Sequence, residues 1–212
     1  MELDFQSVRS EFLESLLSGN KRYCSKIIFD LLQKSIPFID IYEHLIKEAL
    51  IDVGELWELN KISVATEHLA SSIAELVIDE HYSMINETKK TDKKVIIACV
   101  QSEFHRIGIK MVNNVFESNG WDTYFLGANT PMDDLIDLTK EIKPDLISIS
   151  MTLYFHFPFL EMMIQKIRQE FPDTQVLIGG QGLSKVHSVS EQYAKVKYIP
   201  NLYVLESFIR KN

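Results

Sequence analysis

Cysteine is scarce in this chain: Cys24 and Cys99 are the only two among 212 residues and stand far apart. Cys99 lies in an apolar run of strand length, where a thiol behaves as a small hydrophobe, and this usage suits a reducing compartment. Positive charge is in deficit too, with 22 Lys and Arg against 30 Asp and Glu and a formal net charge of −8. That balance argues against a broad electrostatic footprint for nucleic acid or for an anionic membrane surface. Long hydrophobic runs are missing. Residues 1–10 hold no apolar stretch of signal-peptide length, and no later run approaches a membrane span, which points to the cytoplasm. There is no internal repeat and no low-complexity segment. What is present, 46% hydrophobic and 25% charged residues, is the composition of a globular protein with one large or two small domains.

The first part of the chain reads as helical. From Phe5 to about Met84 apolar residues recur at intervals of three and four, as in Phe12, Leu13, Leu16, Leu17 and then Ile27, Ile28, Leu31, Leu32. Breaks at Ser18-Gly19-Asn20, Ser35-Ile36-Pro37 and Asn60-Lys61-Ile62-Ser63 divide this stretch into four helices, with Ser63 as the N-cap of the last. In that helix Glu67, His68, Ser71, Ser72 and Glu75 bring polar groups to positions that a simple bundle would keep apolar. A charged stretch follows, and then the pattern changes. Val95 to Val100 is a continuous apolar run, and strands at Thr123 to Leu126, Leu146 to Ser150, Gln175 to Ile178 and near Val196 to Ile199 alternate with helices. The expected organisation is a four-helix bundle over residues 1–86, a linker at 87–93, and over 94–212 a flavodoxin-like, doubly wound parallel sheet of five strands.

Ligands of such sheets sit beyond the carboxyl ends of the strands. Past the first strand comes Glu103-Phe104-His105-Arg106-Ile107-Gly108, which presents an imidazole at the rim with a carboxylate two residues before it. A neutral imidazole suits a borderline transition metal, and a carboxylate accepting its other N–H fixes the tautomer and raises its basicity. Gly108 fits a close backbone approach, to a bulky ligand or to a neighbouring strand. Ser150 and Thr152 follow the third strand and Gly179-Gly180 ends the fourth, so small residues at adjacent strand ends leave room for a slot that admits a long ligand tail. Each signal alone is ordinary: a lone loop His and a Gly turn after a buried strand are common.

Together, these residues resemble the cobalamin-binding domain family, whose hallmark loop is Asp-x-His-x-x-Gly. In that family the cofactor's benzimidazole leaves the cobalt, its nucleotide tail enters the slot beside the sheet, and the loop His binds the lower face. The resemblance implies that His105 is the metal ligand and Glu103 its carboxylate partner, with Arg106, Ile107, Gly108, Ser150, Thr152, Gly179 and Gly180 in the cofactor site. Two departures stand out: Glu103 replaces the commoner Asp, and Thr152 stands where a Ser-x-Leu motif usually has Leu.

The helical half matches as well, through Val53-Gly54-Glu55-Leu56-Trp57 and Ile62-Ser63-Val64-Ala65-Thr66-Glu67-His68. Corrinoid methyl carriers and methionine synthases have a similar four-helix cap, but Trp57 with Glu67-His68 looks more like the light-sensing cobalamin repressors, in which the Trp and the Glu-His pair surround the adenosyl group. Trp57 would supply a broad rigid wall, and Glu67 and His68 would hydrogen-bond a sugar or base. Glu58 takes the place of a second His found in some of those sensors, and the helix-turn-helix domain that precedes the cap in the repressors has no counterpart in these residues. The resemblance therefore implies a binding module rather than an enzyme. It would be a regulatory sensor loaded with adenosylcobalamin, acting through a protein partner or self-association without binding DNA directly. The alternatives are a corrinoid methyl carrier of a methyltransferase system, loaded with methylcobalamin, and the same fold holding another tetrapyrrole or nothing. His44, His81, His156 and His187 have no assigned role, although His156 lies near a strand end and within reach of a cofactor.

Overall fold

A computed structural model describes residues 4–85, 89–184 and 187–211. The chain falls into two compact units, Met1–Asn86 and Glu87–Asn212. The expected boundary at Asn86 and the first linker residues, 87 and 88, lie outside the described residues. The later part of that stretch is tied to the second unit, where the Thr91 N–H donates to the Gly120 carbonyl at 2.7 Å.

In the first unit, α1 (Phe5–Leu17) starts on Asp4, whose carboxylate accepts from the Gln6 and Ser7 N–H groups, and α2 (Lys21–Gln33) starts on Asn20. Next, α3 (Phe38–Asp40) runs without a break through a π-helical segment (Ile41–Ile46) into α4 (Lys47–Glu58). The π segment brings five side chains into buried positions within six residues, including Glu43, which Lys47 Nζ reaches at 2.6 Å. Finally, α5 (Val64–His81) begins on Ser63, whose Oγ accepts from the Thr66 N–H at 3.1 Å. Its apolar stripe is continuous: Ala70, Ile73, Ala74, Val77 and Ile78 are buried, with His81 closing it against Ser25 Oγ. His68 and Ser72 are exposed and lie off that stripe, whereas Glu67, three residues before Ala70 and seven before Ala74, stands on its N-terminal continuation and is half-buried. Ser71 and Glu75 are half-buried as well.

The second unit is a sheet of β1 (Lys94–Cys99), β2 (Asp122–Gly127), β3 (Leu146–Ser150), β4 (Gln175–Gly179) and β5 (Val196–Tyr198) in the order β2-β1-β3-β4-β5, all parallel. This is the flavodoxin order. Around it lie α6 (Ile107–Ser118), α7 (Met132–Ile142), α8 (Phe157–Glu170) and α9 (Leu202–Lys211). Because both faces of the central strands are covered, β1 and β3 are buried at almost every position; β1 therefore reads as an unbroken apolar run, whereas β3 carries the buried serines Ser148 and Ser150 on one of its faces. Alternation sorts their side chains. Ile96, Ala98, Val100, Ile147, Ile149, Met151, Val176 and Ile178 form one core with residues of α7 and α8. Ile97, Cys99, Ser148, Ser150, Leu177 and Gly179 therefore point to the opposite face, where α6 packs on the sheet and against α9.

Strand order decides where a ligand can enter. The chain leaves β1 toward β2 on one side and returns to β3 on the other, so the loops after β1 and β3 diverge and open a crevice between them. No helix among the described residues is long and apolar enough to cross a membrane.

Candidate functional site

At this switch point the loop after β1 carries Glu103 and His105. Glu103 is completely buried, while the His105 side chain is about half exposed, at 53%. One carboxylate oxygen, Oε1, accepts from His105 twice, from Nδ1 at 2.5 Å and from the backbone N–H at 3.0 Å. The other, Oε2, reaches across to the loop after β3, accepting from the Thr152 and Leu153 N–H groups, both at 2.9 Å, and from His156 Nδ1 at 3.1 Å. Burial by itself would raise this carboxyl. The hydrogen bonds from His105, Leu153 and His156 outweigh it and hold the group down to about 2, so Glu103 is ionised.

Further bonds fix the loop. The Glu103 N–H donates to the Val100 carbonyl at 3.1 Å, and Asn129, in the loop after β2, accepts from the Ser102 N–H at 2.8 Å and donates its own N–H to the Glu103 carbonyl at 2.7 Å. Ser102 and Asn129 both take a left-handed backbone, with φ of 69° and 47°. Three strand-end loops thus meet on two consecutive residues. The result is an imidazole with a set orientation: with Nδ1 on a carboxylate, Nε2 is the nitrogen through which this ring would meet a metal.

The remaining expected residues fall nearby, with some changes of part. Arg106 is exposed at the N-cap of α6, and Ile107 opens that helix. At Gly108 an added Cβ would meet nothing within 4 Å, so a close approach to a neighbouring strand is ruled out and open space remains beside the loop. Ser150 is buried opposite Cys99 and Gly179. Thr152 contributes its backbone N–H to Glu103. Gly180 does make a close approach: its φ is 106°, and a Cβ there would stand 2.4 Å from the Met151 carbonyl oxygen, so only glycine lets the loop after β4 lie against the end of β3.

His156 is the residue whose part the sequence left open. It is buried, edge-on to Phe155 with ring centroids 4.3 Å apart, and bound to Glu103, so two imidazoles share one carboxylate. The signal that could have found it is its place one short turn past β3, the strand paired with β1. Phe104, Tyr154 and Phe155, all exposed, belong to the same two loops.

In the helical unit Trp57 lies in the last turn of α4 and is 46% exposed, which excludes the reading of a core aromatic. Glu67 and His68, in the first turns of α5, bind each other: His68 Nδ1 lies 2.5 Å from Glu67 Oε2, and Ser71 Oγ donates to Glu67 Oε1 at 2.8 Å. The His68 side chain is 73% exposed.

A resident metal can be held by a cluster of side chains or carried in a macrocycle that needs a single protein ligand. Among the described residues no group of three or more His, Cys, Asp or Glu could hold a metal ion. One oriented, solvent-facing imidazole on a buried carboxylate fits the second case. A groove of about 370 Å³ lined by Thr139, Lys140, Lys143, Pro144, Phe171 and Thr174 takes no part, since those residues cluster at the opposite ends of α7 and α8.

Fold and site together define a flavodoxin-like domain that offers one histidine at the β1/β3 switch point, joined in the same chain to a unit of four helices. A family model described as B12 binding domain matches residues 93–198, and a second of the same description matches residues 8–80. The chain belongs to the B12 binding domain family and is a cobalamin-binding protein.

Its relatives include the HTH-type transcriptional repressor CarH of Myxococcus xanthus, 26% identical over 187 residues, which are 85% of this chain and 61% of that protein. Dimethylamine corrinoid protein 1 of Methanosarcina acetivorans is 22% identical over 66% of this chain and 68% of its own length. The chain thus spans about three fifths of the repressor and two thirds of the corrinoid protein. Among solved structures, the monomethylamine corrinoid protein of Methanosarcina barkeri superposes with a TM-score of 0.83 over 98% of this chain and 99% of that one. At 14% identity this likeness shows the fold alone.

Proposed function

We propose that this protein is an adenosylcobalamin-dependent regulatory sensor in which His105 is the lower ligand of cobalt. The observation that carries the ligand assignment is the pairing of a half-exposed His105 with a fully buried, ionised Glu103. Glu103 keeps the Nδ1 proton on the ring, which makes Nε2 the nitrogen that would meet the metal, and its negative charge strengthens the imidazole as a donor. Gly108, Ser150, Thr152, Gly179 and Gly180 belong to the cofactor site in this reading, with Arg106 and Ile107 framing the loop. Bound adenosylcobalamin would supply a cobalt–carbon bond that light can cleave.

For the sensor role the support lies in Trp57, Glu67 and His68. An exposed indole on the helical unit and a polar pair at the start of α5 suit the flat face and the hydroxyls of a nucleoside, and the relatives include two transcriptional repressors of Myxococcus xanthus. The second reading, a corrinoid methyl carrier, is favoured by the relative named as a dimethylamine corrinoid protein. A carrier must leave its methyl group accessible to a partner enzyme, and a wall such as Trp57 has no use there.

Competition binding separates the two readings. The parent is expected to prefer adenosylcobalamin to methylcobalamin, and Trp57→Ala is expected to lower that preference about tenfold, as loss of one large aromatic contact does. Equal binding of both forms by parent and variant would leave the methyl carrier as the better account. Illumination of the adenosyl complex should then change self-association or partner binding, because a ligand shifts an equilibrium by its differential contacts with the two states. Size-exclusion chromatography that reports the same assembly before and after complete photolysis, with and without cell extract, would exclude light sensing.

A further inference from the structure

The two faces of the sheet differ in furnishing. The face under α7 and α8 is apolar throughout. On the other, Cys99, Ser150 and Gly179 are register partners and the last residues of β1, β3 and β4, a row of small residues at the strand ends, and Ser148 follows on the same face one row further in. Over this face α6 packs on β1, β2 and β3 and against α9. Ile109, Asn113 and Phe116 share one stripe of α6, at i, i+4 and i+7. Ile109 and Phe116 are fully buried, as a helix in this position requires, yet between them stands an amide that is itself nine-tenths buried. Its Oδ1 is completely enclosed and has no hydrogen-bond partner. Folded proteins rarely leave such an acceptor unpaired without a reason.

We infer that Asn113 is the polar anchor of the slot for cobalamin's nucleotide tail, its Oδ1 accepting a hydrogen bond from a ribose hydroxyl of that tail. The inference rests on the cobalamin reading above and names the part of the ligand this residue selects. Asn113 lies six residues into α6 from Ile107, so about 9 Å down the helix from the His105 loop. The open space at Gly108 is at the top of the same helix. A tail that passes the loop and descends beside α6 meets the row of small residues on one side and Asn113 on the other. The benzimidazole has no N–H to give an acceptor, whereas the ribose has hydroxyls, so the sugar is the donor that the chemistry offers.

The test compares aquocobalamin with cobinamide, which has the same corrin ring and no nucleotide. Parent protein should bind cobalamin the more tightly. Asn113→Ala removes the acceptor and leaves room; it should weaken cobalamin about tenfold, the usual scale for one buried hydrogen bond, and leave cobinamide unchanged. Unchanged cobinamide binding also shows that the variant is folded. Asn113→Leu, which replaces the lone acceptor by an apolar group of similar size, should raise the melting temperature of the apoprotein. Equal weakening of both corrinoids, or an Asn113→Ala variant that binds cobalamin as well as the parent or better, would overturn the proposal and make Asn113 a filler of the layer. A parent that binds neither corrinoid would overturn the cobalamin reading itself, and the proposal with it.

Discussion

His105→Ala should weaken cobalamin binding by more than about a hundredfold and change the absorbance of whatever cofactor stays bound. The expectation follows from the site's economy: among the described residues one imidazole is presented where a metal-bearing macrocycle would arrive, and no cluster of other ligands stands by to replace it. Loss of a partner behind a metal ligand already costs ten- to a hundredfold in affinity, so loss of the ligand itself lies beyond that range. Absorbance titration of parent and variant measures both effects at once. The fold should survive, because the half-exposed ring is not core and Glu103 keeps its donors from the His105 backbone, Thr152, Leu153 and His156. A cooperative unfolding transition, lowered by the loss of one bond to Glu103, would show that the variant is folded and that the loss of binding is one of ligation. An unchanged spectrum and affinity would remove His105 from the metal.

Glu103 is expected to have the largest effect on stability. Replacing it with alanine leaves the Thr152 and Leu153 N–H groups, His156 Nδ1 and both His105 donors without their acceptor in a buried place. Removing one member of a buried charged network costs about 3–5 kcal/mol, and thermal unfolding should show a fall of roughly 10 °C or more. Glu103→Gln keeps the shape and should cost less, but it should still lower cobalt affinity ten- to a hundredfold because it removes the charge behind the imidazole. The pH dependence has a definite sign. The carboxyl lies at about 2 in the folded protein against an ordinary 4.5, so its stabilisation is fully present above pH 4.5 and is lost as the pH falls toward 2. The gap corresponds to roughly 3 kcal/mol. Acid titration of stability should therefore show a component between those limits in the parent that is missing in Glu103→Gln.

The strands and the place of the Glu103–His105 loop past the end of β1 were legible because each depends on local pattern. A strand covered on both faces tends to be apolar at nearly every position, and β1 announces itself in this way, while β3 shows the short apolar stretch of Leu146, Ile147 and Ile149 with serines between. The connection from Glu103 to residues 152–156 was not legible, since it depends on β2 going to the outside of β1 and leaving β3 as its inner neighbour. Periodicity carries no such information. For the same reason Glu103 read as a partner of His105 alone, and His156 as a residue without a part. In the helical unit the breaks at Gly19, Pro37 and Asn60 were visible as turn chemistry, whereas the π-helical turns of Ile41–Ile46 lie inside an ordinary helical pattern. Among the polar residues early in α5 the pattern alone does not tell which face inward; burial of Ala70, Ile73 and Ala74 puts Glu67 on the inward stripe and His68 and Ser72 off it.

The shared carboxylate also bears on how such a chain can change over time. Each oxygen of Glu103 is engaged by a different loop, so the segment from Val100 to His105 and the segment from Ser150 to His156 are measured against each other across the sheet. Neither can gain or lose a residue alone without pulling the carboxylate off one set of donors. Loop lengths usually drift freely at the ends of parallel strands; here a change in one requires a matching change in the other, and the reach of the Glu103 side chain is part of the distance they have to agree on.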